Sequence, residues 1–586
     1  MHPLKNLVSI MFVGAALQAQ QGPPLMGISE IRPGMKGIGR TVFKGGQIEK
    51  FEFEVMGVQR NFAPGRAMIW VKASGGPLAD TGLLHGMSGS PCYIDGKLIG
   101  ALSQGPPFPR EPVAGITPIS EMLEQLKDIP ETPSLRTPLI LPKIEPPKVL
   151  KSALRGEMIP LSELLGLDPK DTSTLPLPIF GTDMSAEAQS LWQGVPLRFM
   201  GNAGRSAGAG GGEASPIEPG GMVAVNLVQG DLDMSASGTI TYVSGKRVIL
   251  FGHPLFNLGA VDLPLWSATV FGNVGTLDGS SYKFSGIVAP IGALRLDRAT
   301  GVAGLLGAEA RMVPLRIGLN LGGKRNLNYR FELMDSPFIT PNLAAMVLLQ
   351  TITAQVRGQG FQSLSLMGNI KLAGQNPIQL EYMVADLNAG RLAHYVGAIT
   401  QAVTLNPYER AVIEGISLNV KAEERLDTTL IAGVRALKAR VKRGEVLPVL
   451  VTLQNFQGIR ETTTFNLNVP ASAKPGKATL LVGDGASLVA ADPDERAIEL
   501  GSLGDVVRVL NGSLRNNHAY SLLVQTQAGA GLRGSRIEGV PPTVSSLLGS
   551  DGDSTANRLQ RRIVGRALLP LEREVRGLVS LELEIE

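Results

Sequence analysis

A mainly β chain of several domains is the fold class the sequence predicts, and three observations predict it. Its 586 residues are too many for one core, and at roughly 150 residues per domain three or four domains are expected. Glycine (71) and proline (40) are abundant while aromatic residues make up only 5%, a loop-rich composition that excludes a helical bundle. Short runs rich in Val, Ile and Thr alternate apolar and polar residues between glycine turns, the period-2 signature of half-buried strands. The net charge is +4 with a pI near 9.0, but the basic residues are spread among 51 acidic ones and lack interleaved aromatics, so nucleic-acid binding is not indicated.

Taken in order, Lys5, the apolar run over residues 7–17 and Ala19-Gln20-Gln21 have the charge, length and small-residue exit of a signal peptide, assigned to residues 1–20. The run is too short to span a bilayer, and no Cys follows it that could carry a lipid anchor. The mature protein is therefore expected to be exported, periplasmic or extracellular in a bacterium, with no stable membrane span after cleavage. Cys92 is the only cysteine, so no intrachain disulfide can form.

Residues 26–127 form the first unit. Strands are expected at residues 37–43, 48–57 and 67–71, as part of a small barrel, with a short closing helix over residues 119–126. The stretch from Asp80 to Ser103 organises this unit. In Gly86-Met87-Ser88-Gly89-Ser90-Pro91, glycines flank Ser88 and permit backbone turns that a Cβ would forbid, so the hydroxyl is presented rather than buried. Consecutive N–H groups around such a serine can converge on one point, as acyl transfer requires. Asp95-Gly96 between two apolar runs then marks a tight hairpin. Cys92, at the start of its first strand, is expected to be buried and structural.

Residues 128–221 are expected to link the units. Pro130, Pro133, Pro138, Pro142, Pro146 and Pro147 suit an extended strap, and the Gly/Ala-dominated stretch 201–221 suits a mobile loop. The next unit, residues 222–385, carries a strand at 238–243, the turn Ser244-Gly245, and a strand from Arg247 that delivers His253 at its exit. Of five histidines, His2 lies in the leader, His394 in a helical pattern and His518 beside two asparagines, leaving His85 and His253 as candidate bases. His85, three residues from Ser88, is expected to point away from it, which favours His253. Residues 342–356 and 391–403 have helical apolar spacing. From Ile416 onward alternating strands suggest an immunoglobulin-like sandwich within residues 386–485, and residues 486–586 are expected to form a small α+β accessory module. No metal or nucleotide motif is found, and no cofactor is expected.

Gly86 to Pro91, followed by a strand and then Gly96-Lys97-Leu98-Ile99-Gly100-Ala101, resembles the nucleophile region of chymotrypsin-like serine peptidases, and more closely that of the stage IV sporulation protein B family. The Gly238-Thr-Ile-Thr strand and Gly252-His253 resemble that family's His segment. The order is reversed: in the family the His half comes first, whereas here Ser88 precedes His253. The resemblance implies a chymotrypsin-like double β-barrel assembled from permuted halves. It also implies an exported serine endopeptidase acting on a protein or peptide substrate, with Ser88 as nucleophile, His253 as base and the N–H groups of Gly86 and Ser88 as the oxyanion hole. Where the family carries its acid this chain has Ala73, Ser74 and Gly75, so the acid is assigned to Asp297, with Asp262, Asp233 and Asp80 as rivals. The reading from another class is a catalytically inactive protein that keeps the peptidase fold for binding.

Overall fold

The computed structural model describes residues 23–106, 110–133, 146–167, 177–181, 184–195, 197–201, 213–277, 281–322, 325–356, 362–386, 388–491, 500–532, 535–538, 541, 543 and 556–586. The expected leader, residues 1–20, lies outside them. Among the described residues the chain is mainly β, at 50% strand against 17% helix. Among the described residues no helix is long and apolar enough to cross a membrane.

The first unit is a closed barrel of β1 (Lys36–Val42), β2 (Ile48–Ala63), β3 (Arg66–Ser74), β4 (Pro91–Ile94), β5 (Lys97–Gln104) and β6 (Val113–Pro118), in the order β1-β2-β3-β6-β5-β4. Pairing of Ile38 with Tyr93 and Gly39 with Cys92 closes it. Along β2 the residues Phe51, Phe53 and Val55 are buried while Glu52 and Glu54 face out, as the alternation predicts. The Phe51 ring fills the space where a Cβ on Gly39 would stand, with ring carbons 2.0 Å from that point. β4 and β5 are joined by Asp95 and Gly96 with φ of 49° and 75°, the two left-handed residues of a type I′ hairpin turn. The expected closing helix is Ile119–Leu123, continued by a 3₁₀ turn over Glu124–Lys127.

Among the described residues between the units, Pro146 and Pro147 open a helix instead of continuing an extended strap. Helices Pro146–Leu154 and Leu161–Leu164 pack into the large core, and β7 (Leu177–Gly181) and β8 (Leu197–Gly201) pair in parallel. Most of the Pro-rich strap (134–145) and of the Gly-rich stretch (202–212) lie outside the described residues. The far end of the Gly-rich stretch is docked, because Ser215 is buried and its N–H donates to Ala268 O at 3.0 Å.

The second unit contains β9 (Met222–Gly230), β10 (Met234–Ser244), β11 (Arg247–Leu250), β12 (Gly259–Val274), β13 (Tyr282–Arg298) and β14 (Gly301–Leu306). Hydrogen-bonded pairing runs β9-β12-β13-β14-β11-β10 and returns from β10 to β9, so these six strands also close on themselves. Each contributes to one apolar cluster, through Val223, Ile240, Val248, Leu263, Leu294 and Val302. The far half of the β12–β13 hairpin continues past this circuit onto the first barrel, where Gly45 and Val270 exchange backbone bonds of 2.6 and 2.9 Å. Val42 of β1 packs there with Met222, Trp266, Ala268, Val270 and Ile287.

From β9 the sheet extends through β15 (Met312–Leu321), β16 (Asn326–Met334), β17 (Ser363–Leu372), β18 (Ile378–Val384) and β19 (Ile413–Glu423). The expected helices appear as Thr340–Thr353 and Gly390–Thr404, packed together into the large core. The strand around Ile416 belongs to this sheet and not to a sandwich, since β19 pairs in parallel with β15. The remaining strands form two sheets around a separate apolar cluster. One contains β20 (Thr428–Ala436), β22 (Val446–Asn455) and β23 (Arg460–Asn468); the other contains β21 (Arg440–Val441) and β24 (Gly476–Gly483). The last hundred residues are not a separate module. The sheet that holds β24 also contains β25 (His518–Leu532), β26 (Ser535–Glu538) and β27 (Ala556–Pro570), while β28 (Glu574–Arg576) pairs with β20 and β29 (Leu578–Ile585) with β24.

Candidate active site

The Ser88 loop is built on a buried anchor. Met87 is fully enclosed in the first barrel's core, which stabilises the loop by roughly 1.5–3 kcal/mol and leaves its neighbour Ser88 half-buried at the surface of that core. Gly86 and Gly89 take φ of 94° and 91°, left-handed settings that a side chain resists.

Every carbonyl of this loop is engaged. His85 O accepts Lys283 N at 3.1 Å, and Gly86 O accepts Thr239 Oγ1 at 3.0 Å and Lys283 Nζ at 3.2 Å. Met87 O accepts both the N–H and the hydroxyl of Ser90, at 2.9 and 2.6 Å. Ser88 O accepts Thr239 N at 2.8 Å, and Gly89 O accepts Thr241 Oγ1 at 2.8 Å. The N–H groups divide differently: Met87 donates to Leu84 O and Gly89 to Leu102 O, whereas those of Gly86 and Ser88 donate to no acceptor among the described residues. Because a peptide is planar, fixing the carbonyls of His85 and Met87 fixes the directions of the Gly86 and Ser88 N–H groups. Two oriented, unengaged donors two residues apart are what a developing oxyanion requires.

His253 follows β11 through an unusual turn. Phe251 and Gly252 both have positive φ, 68° and 69°, and the Phe251 ring stacks on the imidazole with centroids 6.0 Å apart. Gly238 makes room for that ring, which would overlap any Cβ at position 238. The turn is tied to the first barrel, since Thr117 Oγ1 donates to Gly252 O at 2.7 Å. His253 Nδ1 lies 2.8 Å from Pro254 O. A carbonyl can only accept, so Nδ1 carries the proton and, in the neutral ring, Nε2 keeps its lone pair. Burial holds the His253 pKa below its ordinary value.

Ser88 and His253 therefore meet the same seam: Gly89, next to Ser88, abuts the backbone of Phe251, two residues before His253. The Ser88 hydroxyl and the His253 ring are not hydrogen-bonded to each other. His85, the other candidate, is held by its backbone against the β13 strand end, bridging to Tyr282.

Asp297 does not orient the imidazole. It is fully buried, and its carboxylate accepts the N–H groups of Leu255 (2.7 Å), Phe256 (2.8 Å) and Leu258 (3.2 Å), fixing the turn just beyond His253. Burial pushes its carboxyl up while these bonds oppose the shift. The rivals are no closer to the role. Asp262 pairs with buried Arg295 and accepts Arg311 N, Asp80 is exposed on the helix Leu78–Thr81, and Asp233 is buried just before β10. The contact that stands where an acid would is the Pro254 carbonyl.

Of the residues that set the loop, Thr239 and Thr241 lie in the Gly238-Thr-Ile-Thr strand that the sequence marks out, though without a role, and Lys283 is marked only as a lysine inside the apolar alternation of Tyr282-Lys-Phe-Ser-Gly-Ile. Lys283 is fully buried, and burial lowers its pKa to about 7. Comparison with protein families, curated proteins and solved structures finds no match to this chain.

Proposed function

We propose that this protein is an exported serine endopeptidase whose site lies between two barrels of chymotrypsin-like type joined in permuted order. The observation that carries the reading is the pair of unengaged N–H groups on Gly86 and Ser88, fixed by their engaged carbonyls, at the seam where the His253 turn docks. Two closed six-strand circuits, one bearing each residue, support the fold part of it. Lys5 and the apolar run over residues 7–17 support export.

In this mechanism Ser88 Oγ attacks the scissile carbonyl of a protein or peptide, and its proton passes to His253 Nε2. The Gly86 and Ser88 N–H groups hold the resulting oxyanion. The imidazolium returns the proton to the leaving amine, giving a free amine and an acyl ester on Ser88, which water then cleaves with His253 as base. The Pro254 carbonyl keeps the imidazole in the tautomer this needs and supplies the partner for Nδ1–H. Closure on substrate binding brings Oγ to Nε2, as catalytic hydrogen bonds often tighten only in the complex.

One observation favours the other class of function: among the described residues the ring bonds neither a carboxylate nor the serine hydroxyl, as suits a peptidase fold kept for binding. Hydrolysis of p-nitrophenyl acetate and of casein separates the two. On the enzyme reading Ser88→Ala, His253→Ala and the double variant all fall to a similar floor, about 10³-fold or more below the native rate. A native rate equal to that of Ser88→Ala supports the binding protein.

A further inference from the structure

We propose that Lys283 is the positioning residue of the oxyanion loop, and that the β12–β13 hairpin arm thereby completes the first barrel's site. The inference deepens the reading of Ser88 as nucleophile and rests on it.

Lys283 lies on the part of β13 that reaches past its own barrel. Its backbone N–H holds His85 O, and its ammonium holds Gly86 O at 3.2 Å and Thr41 Oγ1, on β1, at 2.6 Å. The Phe43 ring lies 6.0 Å away on its remaining side. Its backbone N–H thus sets the direction of the Gly86 N–H through His85 O, while its side chain holds the next carbonyl, Gly86 O, and with it the peptide plane between Gly86 and the Met87 anchor. Thr239, from β10, adds the second bond to Gly86 O.

The chemistry argues that this side chain does more than fill space. It is fully buried, and among the described residues it bonds no carboxylate; Glu49, on β2, is the charged group that acts on it from a distance. A lysine amine taken out of water without a bonded counter-ion is costly, whether it stays charged or gives up its proton, and the unbranched apolar chain of Met would fill most of that space without the cost. What Met cannot do is donate to Gly86 O. Because the arm that carries Lys283 is anchored by Gly45–Val270, and by Asn273 Nδ2 to Phe43 O at 3.1 Å, loop geometry is coupled to docking of the two units.

Lys283→Met and Thr41→Val, made in the full chain, test this. A misplacement of about 1 Å in a reacting group costs about 100-fold. Fluorophosphonate labelling of Ser88 should therefore slow about 100-fold in Lys283→Met and by a smaller factor in Thr41→Val. With p-nitrophenyl acetate kcat should fall while KM holds, and the melting temperature of Lys283→Met should be equal or higher. Amide exchange over residues 83–90 should accelerate in both variants, a readout independent of catalysis. Unchanged labelling and unchanged exchange in a folded Lys283→Met overturn the inference. A native protein that takes no label overturns the nucleophile reading instead, and exchange alone then decides whether Lys283 clamps the loop. If Lys283→Met fails to fold, Thr41→Val with native exchange and native labelling overturns it.

Discussion

Gly89 lies against Phe251 so closely that a Cβ at position 89 would stand 2.5 Å from the Phe251 nitrogen and 2.0 Å from the Thr239 carbonyl oxygen. This contact joins the serine loop to the histidine turn. Backbone faces backbone, so neither side can yield by a rotamer change, and φ at Gly89 is itself left-handed. Gly89→Ala should cost roughly 2 kcal/mol or more and separate the two loops, with labelling of Ser88 lost at temperatures where the variant stays folded. Thermal denaturation and circular dichroism check the first part, and native stability in this variant contradicts it.

Asp297 serves the turn and not the ring, so its replacement has a distinct signature. Asp297→Ala leaves the N–H groups of Leu255, Phe256 and Leu258 without an acceptor, at about 1–3 kcal/mol for the buried Leu255 group and less for the two part-buried ones. The variant should be markedly less stable, with faster amide exchange over residues 254–258. Rate loss at unchanged stability and unchanged exchange would instead mark Asp297 as an acid acting on His253.

The pH dependence follows from burial of two bases. His253 is held below its ordinary pKa near 6.5, so the folded protein keeps it neutral where the unfolded chain has begun to bind a proton. Its contribution to stability is complete above pH 6.5 and declines as pH falls towards the folded value. The rising limb of the labelling rate should accordingly have its midpoint below pH 6.5. A midpoint at or above 6.5 contradicts a desolvated base.

Lys283 shows the same linkage in a higher window. With its pKa lowered from 10.5 to about 7, the unfolded chain binds one more proton than the folded one between those values, and stability gains from this residue as pH rises through them. Lys283→Met removes the effect. The stability advantage of the variant over the native protein should shrink between pH 7 and pH 10 in urea titrations, and an advantage independent of pH contradicts a buried, titrating lysine.

Cys92 should be inert. It is fully buried in the first barrel with its thiol raised well above the ordinary range, and it lies 3.5 Å from Ser90 O. A thiol reagent should label it only after denaturation; labelling of the native protein within minutes contradicts this.

Much of the fold near the site was legible because its signals are local. Gly86 to Pro91, the Asp95-Gly96 turn and the strand, turn and strand leading to His253 all lie in short contiguous stretches. The partners of those stretches were not legible. Thr239 and Lys283 reach the serine loop from strands more than a hundred residues away, and a polar residue on a buried strand gives no hint of which backbone it serves. Asp297 was misread for a related reason: its partners are main-chain N–H groups, which composition cannot distinguish from any others. The sandwich boundary failed because Thr428 pairs in parallel with Glu574, a contact that leaves no hairpin signature in the sequence.

Whether Ser88 is an activated nucleophile is decided by covalent capture. The mature protein is treated with a fluorophosphonate, digested and mapped by mass spectrometry. One adduct is expected, on Ser88, absent in Ser88→Ala and formed at least about 100-fold more slowly in His253→Ala. Native protein that stays unmodified at Ser88, under conditions where a known serine peptidase is fully labelled, rules out an activated Ser88.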